Sequence, residues 1–343
     1  ADPGGYAAVN VGNRNRLDGE GALEIPMGDQ FAARVAVAHF SQGDYLDNLN
    51  LNRKEGEFKR SAVRAQLLWE PGESFTALAN FHTGRLRGSA TRYKQIGLSD
   101  PANPGNSDCP YLAYDTNPGN GCSDQTGFVD NGDFTQVSAN SPNLFDADTR
   151  GGLLRFDWRL PDFTVTSLTG FEHADSKRAE DSDGGPSYIF NFEQATDSDQ
   201  LSQELRFASM GTGPLKWIGG LYWFEEDIDN TTVARRGHPI LSDATTPGLP
   251  VPEAGVLSFM PFTMLDQKDT VWSAYGRIDY EMTQAFSVTA GLRYTSERKK
   301  GELMAGGAPD LVPLFRAGEF IGAAQINRLL VGASEVGPGP LPP

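Results

Sequence analysis

The sequence predicts an all-β fold, an antiparallel transmembrane β-barrel, with about eleven strands in the chain. Three observations carry that expectation. Apolar and polar residues alternate with period two through segment after segment. Tight turns and long polar segments take turns in joining those segments. Gly (39) and Pro (22) make up about a sixth of the 343 residues, which suits turns and loops rather than long helices.

The elements follow in order. A first strand near 6–11 turns at 13–15. Leu17, Gly19, Gly21, Leu23 and Ile25 then alternate with Arg16, Asp18, Glu20, Ala22 and Glu24. After the turn "PMGDQ", Phe31, Ala33, Val35 and Val37 alternate with Ala32, Arg34, Ala36 and Ala38. A polar segment, 42–60, intervenes before Val63, Ala65, Leu67 and Trp69. "EPGES" turns the chain into Phe75, Ala77, Ala79 and Phe81. The longest polar segment is 84–147. Leu154, Phe156, Trp158 and Leu160 follow, and Pro161-Asp162 turns into 163–173, where the alternation is weaker. Segment 174–198 is polar again. A hairpin at 200–228, a Pro-rich loop at 229–267 and a last hairpin from Trp272 to Tyr294 complete the pattern, which fades beyond about 299.

In lipid every backbone polar group must be satisfied within the protein, so spanning strands must pair into a closed sheet. Side chains alternate outward and inward, so one set must be apolar and the other can carry charge. Leu23, Val35, Leu67, Phe156, Ile278 and Leu292 are therefore expected outward, and Glu20, Arg34, Gln66, Asp157, Asp279 and Arg293 on the other face. Trp69, Phe75, Phe81, Trp158, Phe163, Trp223, Phe224, Phe286 and Tyr294 fit interfacial girdles. A large soluble antiparallel sheet with one wet face would show the same alternation, but without this order of turns and loops.

The formal net charge of -16 argues against nucleic acid as a partner, because phosphate binding needs clustered Lys and Arg. The longest apolar runs, such as 217–224, fall far short of the ~18 residues of a spanning helix. Cys109 and Cys122 lie close together in a polar, Gly- and Asn-rich stretch; they are read as a disulfide formed in an oxidising compartment, with two free thiols as the alternative.

The pieces "GYAAVNVGNRNR", "RAQLLWEPGESFTALANF", "SQELRFAS", "PLKWIGGLYWFEEDI" and "SAYGRIDYEMTQAFSVTAGLRYTSERKK" resemble, in order and spacing, the barrel of TonB-dependent outer-membrane receptors. The resemblance covers most of residues 5–300. It implies a 22-stranded barrel in the Gram-negative outer membrane, filled by an N-terminal plug domain and energised through a TonB box by an inner-membrane complex. Substrates of the family are scarce and bulky: ferric siderophores, haem, cobalamin, some oligosaccharides. This chain shows neither plug nor TonB box and ends in "GPGPLPP". It is expected to be the first half of the barrel: 1–300 as barrel with long extracellular loops at 42–60, 84–147, 174–198 and 229–267, and 301–343 as an incomplete loop or truncated end. The plug and the TonB complex are then partners through the missing N-terminal region, alongside outer-membrane lipid and a ferric siderophore or similar substrate.

No catalytic motif, resident metal or cofactor is expected. His39, His82, His173 and His238 stand at no metal-ligand spacing; the first three fall at the outer ends of strands, as interfacial polar tips or, alternatively, as groups that bind haem or metal on uptake. "DNGD" (130–133) and "EDSDGG" (180–185) lack the spacing of a Ca²⁺ loop and are expected to be solvated. Tyr93, Tyr111, Tyr114 and Phe128 in the longest loop, Tyr188 and Phe190 in the next, and Phe259, Phe262 and Met264 in the third either form a substrate-catching surface or pack the loops together. Arg34, Arg64, Arg155, Arg206 and Arg277 each sit between outward-facing positions, four to six residues from a tight turn, and are expected to form one lumen layer. That layer either makes cross-strand ion pairs or clamps the plug. The function expected is uptake of a ferric siderophore. A passive porin-like channel and a soluble secreted adhesion domain are the alternatives.

Overall fold

The computed structural model describes residues 2–103, 109–113, 115, 117–124, 126–141, 143–187, 189–236 and 259–309. Its strands are β1 (Gly4–Gly12), β2 (Arg16–Met27), β3 (Phe31–Gln42), β4 (Leu46–Asn48), β5 (Arg53–Glu55), β6 (Phe58–Gly72), β7 (Phe75–Gly88), β8 (Gln136–Val137), β9 (Leu144–Arg159), β10 (Phe163–Asp181), β11 (Phe190–Ser209), β12 (Leu215–Arg236), β13 (Phe259–Thr283) and β14 (Phe286–Pro309). One 3-10 turn, Pro110–Ala113, is the only helical element among the described residues. Eleven strands form one antiparallel sheet in the order β1-β2-β3-β6-β7-β9-β10-β11-β12-β13-β14, so every neighbour in the sheet is the next long strand in the chain. β5, β4 and β8 form a separate three-stranded sheet from the long connections.

The turns explain the up-and-down order. Residues 13–15 join β1 to β2; Arg14 and Asn15 both have positive φ, 61° and 54°, and the Arg16 N–H donates to the Asn13 carbonyl at 3.3 Å to close the turn. Gly28 (φ 73°) opens the next turn. Register then carries facing from strand to strand. Leu23 lies opposite Val35. Val35 lies opposite Ala65, and Leu67 opposite Ala79. Ala77 meets Phe156, Trp217 meets Ile278, and Gly276 meets Leu292. Directly opposed residues share a face, so the six residues expected outward stand on one face. Glu24, Arg34 and Gln66 are cross-strand neighbours on the other.

The outward face is apolar and bare: Leu23, Leu154, Leu221, Ile278 and Leu292 are all exposed. Rings border it on the turn side. Phe31 stacks on Trp69 at 5.9 Å, Trp69 meets Phe75 edge-on at 5.6 Å, and Phe163 lies 6.1 Å from Trp217. Trp272 and Tyr294, 5.2 Å apart, mark the far border. From Phe163 to Phe171 along β10 is roughly 26 Å at ~3.3 Å per residue, or about 22 Å of height at the ~35° tilt of a barrel strand, of the order of the ~25 Å of a lipid-facing band. Phe224 is a correction to the girdle: it pairs with Ser202 on the inner face, because Trp223 beside it already points outward.

The strands also run past their expected ends, always away from the tight turns. The polar segments 42–60, 84–147, 174–198 and 229–267 shrink to connections at 43–57, 89–143, 182–189 and 237–258. Segment 174–198, expected as loop, is mostly strand: β10 continues to Asp181 and β11 begins at Phe190. Of 301–343, the first nine residues belong to β14, and 310–343 lie outside the described residues, as do 237–258. The physical reason is that the apolar/polar contrast is imposed only where lipid meets one face. Beyond the band both faces meet water, and a strand there reads as polar sequence. β13 has 25 residues, against about 9–11 for a membrane-spanning strand.

β1 and β14 each pair on one side only among the described residues. Such edges invite association. This 343-residue chain, purified by itself in detergent, is expected to be polydisperse by light scattering. A monodisperse, heat-modifiable monomer would contradict that expectation.

Candidate functional site: an inner charged wall and a packed crown

The inner face collects the arginines because the odd-even pattern leaves them nowhere else to point. Arg155, Arg206 and Arg277 stand on β9, β11 and β13. Arg206 shares its row with Thr166 and, through it, Asp157, two residues nearer the turn than Arg155. Arg277 shares its row with Ile218, and through Ala208 and Thr164 with Arg159, two residues nearer again. A step of one residue per strand corresponds to a tilt of about 35° at ~3.3 Å rise and ~4.8 Å strand spacing, the tilt of a barrel strand. In a sheet so tilted these three form a level arc. Arg34 falls within one residue of the same level, through Gln66, Asn80 and Leu153. Arg64, in the row of His82 and Gly151, sits two residues higher.

Carboxylates on the same wall hold three of the five. Arg34 pairs with Glu24. Arg155 donates to both oxygens of Asp157, at 2.6 and 3.1 Å, and the Thr166 hydroxyl donates to the same carboxylate at 2.8 Å. Arg277 donates to Asp279 at 2.8 Å. Arg64 and Arg206 make no hydrogen bond or ion pair among the described residues. Glu204, beside Arg206, accepts instead from the Tyr275 hydroxyl at 2.6 Å. Arg64 lines a concavity of about 440 Å³ with Tyr6, Glu20 and His82, over a floor of Ala36, Ala38, Ala62 and Gly84. His82 contacts Glu172 at 2.9 Å, so it faces the inner wall. His39 shares the outward parity of Val35 and Val37, and bonds Ser61 at 2.8 Å.

Past the ends of the strands the connections fold into a crown. Cys109 and Cys122 are bonded, and the β4-β5-β8 sheet joins connection 43–57 to connection 89–143. Asn48 hydrogen-bonds Glu55 at 3.1 Å and caps the backbone of Asn50 and Leu51. Arg92 pairs with Glu55, their side chains 5% and 1% exposed. Burial pulls Arg92 down to about 10, against the Asp181 charge that favours its ionised form. Lys94 reaches Asp130 at 2.8 Å and the carbonyls of Asp133 and Gln136. Asn140 and Asn143 tie this connection to Asp181.

The acid-rich pieces are therefore not the solvated loops expected of them. Asp130 and Asp181 are buried, and Asp183 accepts backbone hydrogen bonds from Gly185, Ile189 and Phe190. Burial, with the Asp181 charge beside it, pushes Asp183 up to about 6. No sequence signal foretold this, because the partners are backbone groups of a folded loop. Of the loop aromatics, Tyr93 and Tyr111 are exposed, at 40% and 52%. Phe128 and Phe190 are half-buried, and Phe190 begins β11. Tyr114 and Tyr188 lie outside the described residues. Phe262 is buried. The exposed apolar surface of the crown also includes Ile96, Leu98 and Phe134, which stand singly among polar residues in the sequence.

No protein-family model and no curated protein matches the chain. Solved structures do. The ferric yersiniabactin uptake receptor FyuA of Yersinia pestis superposes with a TM-score of 0.60 at 14% identity, over 90% of this chain and 44% of that one. FpvAI, in its complex with pyocin S2, superposes with a TM-score of 0.56 at 11% identity, over 90% of this chain and 41% of that one. The chain thus spans less than half the length of these receptors. At such identities the likeness concerns fold, and the fold is that of a TonB-dependent receptor barrel.

Two outcomes are expected of the crown. The disulfide joins cysteines 13 positions apart in sequence, and for a loop of that size chain entropy assigns about 3 kcal/mol. Reduction should speed hydrogen exchange within 89–143 and leave the eleven-stranded sheet unchanged. Equal protection before and after reduction would show that the bond orders nothing. Asp183, with its pKa raised in the folded crown to about 6, gives the connection 182–189 stability that is full below the unfolded carboxylate range of about 4 and is lost as pH rises through 6. Hydrogen exchange of 182–189 should slow from pH 7 to pH 5, after correction for the intrinsic rate, and Asp183→Asn should flatten that dependence.

Proposed function

We propose that this chain is part of the barrel of an outer-membrane receptor that takes up a scarce, bulky nutrient, a ferric siderophore complex in the first instance. The observation that carries the reading is the two-faced wall. One face is apolar, bare and bordered by rings, which suits lipid. The other is lined with Arg, Asp, Glu and Tyr in hydrogen bonds, which suits a wet or protein-filled interior. A soluble sheet with one wet face would hide its apolar side against a second layer. Solved receptors of the same fold include one named for uptake of a ferric siderophore.

Within that reading, the plug of the intact receptor docks on the inner wall, and the TonB complex acts on the plug. Arg64 and Arg206 are the arginines best suited to clamp it, since Arg34, Arg155 and Arg277 are already held by carboxylates of their own wall. Arginine serves because its planar fork can take a plug carboxylate bidentately. The exposed crown residues Tyr93 and Tyr111 are then the side chains of the expected set that first meet the substrate. Tyr114, Phe128, Tyr188 and Phe190 would support that surface.

The test uses the intact gene. Its deletion should abolish accumulation of a ⁵⁵Fe–siderophore complex in iron-starved cells, and collapse of the proton-motive force should do the same to the wild type. Uptake that survives de-energisation would identify a passive channel instead. Arg64→Leu with Arg206→Leu should raise leakage of small solutes while the barrel still inserts. Unchanged permeability with normal insertion would leave these arginines to the lumen's own electrostatics.

A further inference from the structure

The outward face carries a second feature just past its apolar band. Counting up β10 from the ring of Phe171, the next outward residues are His173 and Asp175. Directly opposite them on β11 are Asp199 and Asp197. Four metal-binding side chains thus occupy the corners of a two-by-two square on one face of two paired strands, where opposed Cβ atoms lie about 4.5–5.5 Å apart. One nitrogen of His173 and one oxygen each of Asp197 and Asp199 lie within 4.8 Å of one another.

The imidazole is oriented. Its Nδ1 lies 2.8 Å from Asp199 Oδ1. A carboxylate only accepts, so Nδ1 carries the proton and, in the neutral ring, Nε2 carries the lone pair. Nε2 faces two further carboxylates, with Asp175 Oδ2 and Asp197 Oδ2 each 3.9 Å away. That is too long for a hydrogen bond. It is close to the spacing of two ligands on one ion: bonds of ~2.1 Å at a tetrahedral angle put ligand atoms about 3.4 Å apart. A carboxylate on one ring nitrogen that fixes the other toward a metal is the arrangement by which proteins orient a ligating histidine.

The surroundings supply a reason for a cation. The row through Asp175 and Asp197 continues on the same face as Asp148 on β9, Asp229 on β12, Asp266 on β13 and Glu302 on β14. Like charges directly opposed across strands destabilise a sheet. Basic groups answer part of the row. Arg85 and Arg87 take Asp148, Arg150 stands opposite His173 on β9, and Lys177 stands two residues beyond Asp175 on the same face; Lys268 is held by Glu225 and Asp227, outside the row. Asp175, Asp197 and Asp199 all turn to one imidazole.

We propose that His173 Nε2 and Asp197, with Asp175 beside them and Asp199 orienting the imidazole from Nδ1, form a binding site for one divalent transition-metal ion of the zinc class on the outer surface of β10 and β11. The mixed imidazole–carboxylate donor set selects such an ion over Mg²⁺, which prefers oxygen ligands alone. The site faces away from the inner wall, so it is a clasp and not a step on the path of cargo. It fixes the register of the two strands whose ends carry the connection 182–189.

The intact protein, purified in detergent and stripped with a chelator, would be dialysed against Zn²⁺ and its metal content measured beside His173→Ala, Asp197→Asn and Asp199→Asn. His173→Ala and Asp197→Asn should each lose one equivalent of zinc, and Asp199→Asn should weaken that site by at least ~10-fold, the usual effect of removing an orienting carboxylate. With Cu²⁺ as probe, the wild-type electron paramagnetic resonance spectrum should show coupling to one imidazole nitrogen, absent in His173→Ala. That spectrum needs only the wild type should a variant misfold. Equal zinc content in wild type and both site variants, or a wild-type copper spectrum without nitrogen coupling, would overturn the site. So would loss in His173→Ala with Asp197→Asn unaffected, which would reduce it to a lone surface imidazole.

Discussion

Backbone pairing between consecutive antiparallel strands is the constraint from which everything else in this protein follows. Each strand bonds only to the strands before and after it in the long-strand order. That fixes the register, and register fixes which side chains share a face, since a slip of one residue would exchange the two faces entirely. Facing then sorts the chemistry. Apolar residues must take the side that meets lipid, and the arginines and carboxylates are left with the other. Among the described residues there is consequently no ordinary core: the buried apolar residues are few and scattered, among them Ala22, Ala77, Val137 and Val233. The sheet's stability rests on its ladder hydrogen bonds and on cross-strand neighbours. The Arg155–Asp157–Thr166 contact is such a unit, spanning β9 and β10 on the inner wall.

Beyond the band the same strands serve a different end. Freed from lipid, they carry charge on both faces. Their connections fold as small protein structures with buried polar interiors. Glu55 and Arg92 illustrate the cost and the return. Removing two charges from water is expensive, and one partner left alone would cost ~3–5 kcal/mol. Met together, and surrounded by Asn48 and the Ser141 carbonyl, they lock connection 43–57 to connection 89–143. A crown built this way holds exposed aromatic residues such as Tyr93 and Tyr111 on a folded support.

The sheet was largely legible in the sequence, because period two is a signal that lipid enforces. Val63, Ala65, Leu67 and Trp69 declare a strand without help from any other part of the chain. The extensions of β10 and β11 were not legible, because Asp175, Asp197 and Asp199 look like loop residues until one knows that water lies on both sides of them. The cysteine pair was readable from its spacing and compartment, and the bond is present. The buried roles of Asp181 and Asp183 were hidden, since their partners are backbone amides brought close only by folding. The arginines were readable as a set on one face. Their division into those held by the wall and those left open was not, because it depends on neighbours such as Thr166 and Asp279 across the sheet.

One face of this wall should meet lipid in a bilayer and the other should not. Spin labels placed singly at Leu67, Phe156 and Ile278, and at Gln66, Asp157 and Asp279, in the intact protein in bilayers measure this directly. Relaxation by dissolved oxygen, which concentrates in lipid, should dominate at the first three positions. Relaxation by a water-soluble nickel chelate, or by neither reagent where protein fills the interior, should characterise the second three. Oxygen and nickel accessibilities that do not alternate along the strands would contradict the account.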